Sequence, residues 1–198
     1  MNMRLDRGAS SRTEGGLSGS RRQYALRYGG GILLMGIGLG IVAAGKLGTA
    51  WVFPGLAVGA FLGIVGTVAA HRRIVARFGH PTRHQFLLLA GAVAVEMIAF
   101  YMIGALGLLH GIPDQSAWRI VLLVVAAHFL LMYWSMGPWL FWLGTVNLIW
   151  VALSAVLTLP LSTTFIGDGI VKAAVGVIMA LPVLRAASAK GTGSVLSE

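Results

Sequence analysis

Few side chains in this sequence are suited to chemistry, and the best candidates lie inside apolar segments. Glu96, His128 and Asp168 are candidates for acid–base catalysis, because carboxyl and imidazole groups can donate and accept protons. Asn147 and Lys172 are further polar candidates and are expected to contact a substrate. A polar side chain is costly to bury in lipid, so these five residues are expected to have partners and a function.

Glu96 lies near the middle of the third apolar segment, where Ala92, Ala99 and Phe100 share its helix face. The small residues leave room for another helix or a ligand, and the carboxyl must be either neutral or paired. Counting from the segment ends places Glu96, His128 and Asn147 near mid-depth, so they are predicted to converge. The alternative is a hydrogen-bonded cluster that only holds three helices together.

Asp168 and Lys172 are four residues apart near the start of the last apolar segment. This spacing allows them to pair along a helix, and Asp168 suits the positive end of the helix dipole. A capping and pairing role therefore stands beside a catalytic role for Asp168 and a substrate-binding role for Lys172.

The chemistry that fits these groups is acid-initiated cyclisation or isomerisation of a lipophilic, isoprenoid-type substrate. Desolvation disfavours the charged form of a carboxyl, so Glu96 is expected to keep its proton and to donate it to an alkene or epoxide. Aromatic faces attract cations and are the expected wall for a carbocation. The candidates for this wall are Phe100, Tyr101, Tyr133, Trp134, Trp142 and Trp150. The ordinary alternative is an aromatic belt at the membrane interface, to which Trp51, Trp118 and Trp139 are assigned.

The composition predicts the elements that must position these groups. Hydrophobic residues make up 57% of the 198 residues and charged residues 11%, whereas a soluble domain has about 25% charged residues. We therefore predict an all-α, polytopic integral membrane bundle of six transmembrane helices, each needing about 20 apolar residues. The predicted segments are 28–45, 51–71, 85–109, 117–135, 139–159 and 165–184.

The basic residues flank the apolar segments and set the expected orientation. Most lie on one side, so both termini are predicted to be cytoplasmic, with 1–27 a disordered basic tail, 28–184 the membrane domain and 185–198 a C-terminal tail. The net charge of +9 is accordingly assigned to topology and to the lipid bilayer of the cell membrane, not to nucleic acid.

The loop 71–84 is the main basic patch on the expected cytoplasmic side. A topology signal is favoured there over a site for a phosphorylated ligand. Its histidines, His71, His80 and His84, lack metal-ligand spacing, and the chain has no cysteine. No metal and no cofactor are expected.

Glycines repeat every four residues in the first two segments, at Gly36 and Gly40 and at Gly55, Gly59 and Gly63. This spacing places them on one helix face, where two backbones can approach closely. Packing of the first helix on the second within one chain is favoured, and a homodimer interface is the alternative.

Residues 119–181 resemble a family of small, functionally unassigned bacterial membrane proteins. The resemblance rests on Arg119, on His128–Phe129, on the Leu143-Gly144…Asn147 pattern and on FIGDGIVKAAVG, which contains Asp168 and Lys172. It implies that His128, Asn147, Asp168 and Lys172 are the polar set of the family, and it implies no activity.

A second resemblance is to membrane-embedded terpene cyclases, which are small helical proteins whose intramembrane carboxyls act as proton donors. It rests on the architecture and on Glu96 and Asp168, although those proteins have seven helices. A proton-coupled transporter working as a dimer through Glu96 and His128 is one alternative function, and a non-catalytic membrane module is another.

Overall fold

The computed structural model describes the backbone of residues 13–107 and 109–191 and the side chains of 26–107 and 109–185. Within these residues the chain is helical and contains no strand. The helices are α1 (Thr13–Leu47), α2 (Val52–Phe78), α3 (Arg83–Ala105), α4 (Asp114–Leu131), α5 (Tyr133–Met136), α6 (Pro138–Val156) and α7 (Leu161–Gly191), with a 3-10 turn at Thr49–Trp51.

Six helical spans of the described chain are long and apolar enough to cross a membrane, which confirms the predicted fold class. They are Leu26–Leu47, Thr49–Phe78, Arg83–Ala105, Asp114–Leu131, Pro138–Val156 and Leu161–Arg185. The expected N-terminal tail overlaps α1, which begins at Thr13, whereas 1–12 and 192–198 lie outside the described residues.

The four-residue glycine repeats bring α1 and α2 into backbone contact. A Cβ atom added at Gly36 would lie 2.8 Å from the Gly63 nitrogen, and one added at Gly40 would collide with the Gly55 carbonyl oxygen. The structure thus shows the packing of helix 1 on helix 2 that the spacing predicted. Because these glycines contact each other within one chain, they are not available to form a homodimer interface.

A second glycine seam joins α1 to α7. A Cβ atom added at Gly31 would lie 2.8 Å from the Gly176 carbonyl oxygen, and one added at Gly38 would lie 2.6 Å from that of Gly169. The α1 glycines of this seam repeat every seven residues, so they lie on a different face from those that contact α2. Helix α1 is therefore the central element, packed closely on both sides.

Helices α4 and α6 pack against each other as a hairpin with a short connection. The turn between them contains α5 and Gly137, whose φ of 93° suits glycine, followed by Pro138 in the first turn of α6. Arg119 donates a hydrogen bond to the Leu159 carbonyl at 2.7 Å, which satisfies an acceptor just beyond the end of α6. The hairpin is thereby closed at both ends.

Helix α3 is attached more lightly than the others. It begins with a capping box, in which Thr82 Oγ1 accepts from the Gln85 nitrogen at 3.3 Å and Gln85 Oε1 accepts from the Thr82 nitrogen at 3.1 Å. It packs against α4 and α5 but scarcely touches α2, and most of its apolar side chains are exposed. In a bilayer those side chains face lipid.

Candidate functional site

A cavity of about 540 Å3 lies between α1, α2, α3, α4 and α7. Its lining is almost entirely apolar, and its aromatic wall consists of Phe53, Phe100, Trp118, Phe129 and Phe165. The charged or titratable side chains in the lining are Glu96, His128, Asp168 and Lys172. A mostly apolar cavity with a few converging polar groups is the usual form of a small-molecule site.

Glu96 and His128 meet on the wall that α3 and α4 share. The Glu96 Oε2 atom lies 3.6 Å from His128 Nδ1. The Nδ1 atom is also 3.0 Å from the Ala92 carbonyl oxygen, and because a carbonyl only accepts, Nδ1 must carry the hydrogen of that bond. Ala92 lies one turn before Glu96, so the imidazole is held directly beside the carboxyl.

Asp168 and Lys172 form a buried ion pair on the opposite wall. Both residues are 1% exposed, and the Lys172 ammonium bonds Asp168 Oδ1 while lying 5.6 Å from the centre of the Phe129 ring. Asp168 Oδ2 has no hydrogen-bond partner among the described residues. Glu96, His128, Asp168 and Lys172 all line the cavity, so the two pairs face a common chamber.

The backbone around Asp168 explains why its carboxyl is fixed. Gly167 packs against the Trp150 indole, and Gly169 is in backbone contact with Gly38 of α1. The Trp150 indole nitrogen donates to the Thr164 carbonyl at 3.0 Å, which holds α6 against the same turn of α7. Contacts on two sides therefore set the rotation of α7 and direct Asp168 into the cavity.

Asn147 does not join Glu96 and His128. It is fully buried in α6, and neither of its amide atoms has a hydrogen-bond partner among the described residues. Helix α6 lies behind α4 and α7 as seen from the cavity, so Leu140 is the described α6 residue that reaches the lining. The expectation that all three mid-depth groups converge therefore fails for Asn147.

Of the six aromatic residues proposed for the wall, Phe100 is the one that lines the cavity. Tyr101 follows it by about 100° around the helix and is 72% exposed. Tyr133, Trp134 and Trp142 are likewise exposed, the first two in α5 and the third on the outer face of α6.

Trp150 is half-buried against α7 instead of facing the cavity. The wall residues that sequence reasoning missed include Trp118 and Phe129. These share an α4 face with Leu122 and Val125, at spacings of four, three and four residues, and this periodicity is the signal that could have identified them.

The sequence predicted no metal site at His71, His80 and His84. Among the described residues, no group of three or more His, Asp or Glu side chains is placed to hold a metal ion. The four polar residues of the cavity are instead arranged as two pairs, which suits proton transfer and ion pairing.

Over the described residues, the fold and the cavity are those of a polytopic membrane protein that has six apolar helical spans and two buried polar pairs facing an apolar chamber. The chain belongs to the family described as "Family of unknown function (DUF6609)", whose model matches residues 18–187. This confirms the resemblance noted for residues 119–181 and extends it over most of the chain. No curated protein and no solved structure matches the chain.

Proposed function

We propose that this protein is a membrane-embedded enzyme that isomerises or cyclises a lipophilic, isoprenoid-type substrate, with Glu96 as the proton donor. One observation carries the proposal: the Glu96 carboxyl lies 3.6 Å from the His128 imidazole on the wall of an apolar cavity of about 540 Å3. A carboxyl that is held by an imidazole N–H beside a site for an apolar molecule is a suitable arrangement for proton transfer to such a molecule.

The position of the cavity supports access from the bilayer. Phe53, Leu56 and Val93 line it and are also exposed at the outer surface, by 69%, 40% and 40% respectively. They lie on α2 and α3, the two helices that scarcely touch each other. A lipophilic molecule can therefore pass sideways between α2 and α3 without crossing water.

The proposed reaction begins when the Glu96 carboxyl gives its proton to a carbon–carbon double bond, whose electron pair forms the new C–H bond. The carbocation faces the ring of Phe100, one turn along α3 from Glu96, whose π electrons stabilise positive charge. Loss of a proton from a neighbouring carbon returns the electron pair to a double bond and completes an isomerisation. The Glu96 carboxylate accepts that proton directly, or the unbonded oxygen of Asp168 accepts it and returns it to Glu96 across the cavity, so that the proton donor is restored.

His128 and Lys172 have supporting roles in this scheme. The imidazole is fixed by its bond to Ala92, so it orients the Glu96 carboxyl and stabilises the carboxylate that forms after proton transfer. The Lys172 ammonium attracts the same carboxylate from across the cavity while it remains paired with Asp168. Neither group has to leave its partner during the reaction.

The proposal takes the membrane to be the cell membrane and both termini to be cytoplasmic, because the basic residues flank the helices mainly on one side. Under this orientation the α2–α3 loop faces the cytoplasm. The basic segment 71–84 then lies at the cytoplasmic leaflet.

Solvent deuterium provides the test. The purified chain in phospholipid nanodiscs is incubated with geranylgeraniol in D2O, and the product is analysed by mass spectrometry for carbon-bound deuterium. We expect uptake of deuterium by the wild type and a loss of about 100-fold or more in Glu96→Gln, because general acid catalysis contributes about 10²–10⁴ in rate.

Asp114→Asn is the matched control, since it makes the same change to an exposed carboxyl at the start of α4. It should leave the rate unchanged. Equal deuterium uptake by Glu96→Gln and wild type would contradict the proposal, as would no uptake by the wild type. A Glu96→Gln chain that folds but loses pH-driven solute uptake in vesicles would favour the proton-coupled transporter.

A further inference from the structure

A second apolar cavity continues the chamber toward the α2–α3 loop. It has a volume of about 310 Å3 and lies between α1, α2 and α3. Gly30, Leu33, Leu89 and Met136 line both cavities. The two are therefore neighbouring parts of one cleft that runs along α3.

The far end of this cleft is at the membrane surface. Phe86, Pro81 and His71 line it there, and Pro81 belongs to the loop between α2 and α3. Thr67 adds no free polar group, because its hydroxyl lies 3.0 Å from the Gly29 carbonyl oxygen and 2.8 Å from that of Gly63. The lining thus stays apolar from the Glu96 chamber up to His71.

Positive charge is concentrated around this opening. Residues 71–84 contain four arginines and three histidines and no carboxylate, and all seven of these side chains are exposed. By helical position Arg72 and Arg83 flank the faces of α2 and α3 that line the cleft, whereas Arg73 and Arg77 lie on the other side of α2. An apolar cleft with a basic mouth matches a lipid that has an anionic headgroup.

We infer that the substrate is a lipid with a phosphate or diphosphate headgroup, held at the basic mouth with its apolar chain lying along the cleft to Glu96. This inference rests on the proposed function for the reaction that the lipid undergoes. The position of the lipid in the cleft does not depend on that reaction. A topology signal accounts for the arginines at the facing ends of α2 and α3, but it does not account for an apolar cleft that ends among them.

The cleft also fixes which part of the lipid reacts. Phe86 and Glu96 are ten residues apart, which is about 15 Å at the rise of an α-helix. That distance corresponds to roughly a dozen bonded carbon atoms in an extended chain. Glu96 therefore acts on a double bond in the distal half of the chain, and the phosphate ester is left intact.

The test is competitive binding to the full-length chain in phosphatidylcholine nanodiscs, with radiolabelled geranylgeranyl phosphate as the probe. We expect the double variant Arg72→Gln/Arg83→Gln to bind it at least about tenfold more weakly, because it removes the guanidinium groups that form charge-assisted hydrogen bonds to the phosphate. The affinity for geranylgeraniol should not change. The matched control is Arg73→Gln/Arg77→Gln, which removes the same charge from the side of α2 away from the cleft and should bind like the wild type.

Chain length and free phosphate give the second measurement. Geranyl phosphate, which is too short to reach Glu96, should compete at least about tenfold less well than geranylgeranyl phosphate. Inorganic phosphate should not compete at millimolar concentration. Equal loss of binding in the two double variants, equal affinity for the short and long chains, or displacement by inorganic phosphate would overturn the inference.

The inference and the proposed function fail in different ways. Glu96→Gln should bind geranylgeranyl phosphate as the wild type does and form no deuterated product. Binding with the expected headgroup dependence, but no deuterium uptake in any probe, would end the proposed function and leave the cleft as a site for a lipid phosphate. Deuterium uptake at the same rate from geranylgeraniol and geranylgeranyl phosphate, with binding that does not depend on the headgroup, would support the proposed function and overturn the inference of a lipid phosphate.

Discussion

The α1–α2–α7 core and helix α3 are two regions of one bundle that are held in contrasting ways. In the core, glycines bring the backbones of α1 and both of its neighbours into contact along two seams. Helix α3 has no such seam, because a Cβ atom added at Gly91 or Gly104 would meet nothing within 4 Å. Its attachment to α4 depends on contacts such as the bond between His128 and the Ala92 carbonyl.

The candidate site lies at the border between these regions. Asp168 and Lys172 belong to the packed core, whereas Glu96 belongs to the lightly held helix. Segments that admit ligands are drawn from the less stable parts of a protein, since they must move to open the site. A rigid wall with a fixed ion pair facing a movable wall with the acid is therefore a suitable arrangement for a lipid-binding enzyme.

The largest expected effect is in the core. Gly59→Leu places a side chain against the Gly36 carbonyl oxygen of α1. Overpacking costs about 1–3 kcal/mol where side chains can shift, and more where the obstacle is backbone. We expect almost no folded protein by size-exclusion chromatography in detergent. Gly91→Leu in α3 should elute like the wild type, and an equal loss in both variants would remove the distinction between the regions.

Breaking the ion pair of the fixed wall should have the next largest effect. Lys172→Met leaves the Asp168 carboxylate buried without its partner, which costs about 3–5 kcal/mol. The double variant Asp168→Asn/Lys172→Met removes both charges and should recover most of this loss in unfolding titrations with sodium dodecyl sulfate. A double variant less stable than Lys172→Met would show that the pair is not coupled in this way.

A smaller and more local effect is expected where α3 meets α4. His128→Phe keeps a planar ring of slightly larger size but removes the hydrogen bond to Ala92, and interhelical bonds of this kind are worth about 1 kcal/mol. Amide hydrogen exchange should rise in α3 and stay unchanged in α7. His110→Phe, in the exposed α3–α4 connection, is the control. Equal exchange increases in α3 and α7 would indicate that the two regions are not independent.

The smallest effect on stability should come from filling the gap beside α3. Val93 lines the cavity and is 40% exposed, so Val93→Trp should change the free energy of unfolding by about 0.5 kcal/mol or less. It should nevertheless weaken geranylgeraniol binding in nanodiscs, because the indole occupies the space of the ligand. Val95→Trp, which lies outside the lining and is 52% exposed, should bind normally. Unchanged binding in both variants would place the ligand elsewhere.

The helices were predictable because each span is a long apolar run, but their ends were not. Helix α2 continues to Phe78 instead of ending near His71, since Arg72, Arg73 and Arg77 are good helix formers that an apolar count excludes. The α1–α2 contact followed from glycines four residues apart. The α1–α7 seam was missed, although Gly31, Gly38 and Gly45 recur every seven residues.

The sequence predicted those contacts of the site that depend only on the depth of each residue in the membrane. Counting from the helix ends correctly placed Glu96 beside His128, but it could not give the rotation of α6, which takes Asn147 away from the cavity. The aromatic wall depends on rotation in the same way, which is why Tyr101 was included and Trp118 was not. The cleft between α2 and α3 exists because these two helices scarcely contact each other. No sequence pattern indicates that two neighbouring helices leave a gap.

The measurement that tests the account most directly is photolabelling with geranylgeraniol that has a diazirine at the end of its chain. The wild type in nanodiscs is irradiated, and the labelled residues are identified by mass spectrometry. We predict labelling of Val125 and Phe129, which face the chamber, with Phe129 only 7% exposed. Labelling confined to outward-facing residues such as Ile98 and Val146, with none on Val125 or Phe129, would contradict a chamber that admits lipid beside Glu96.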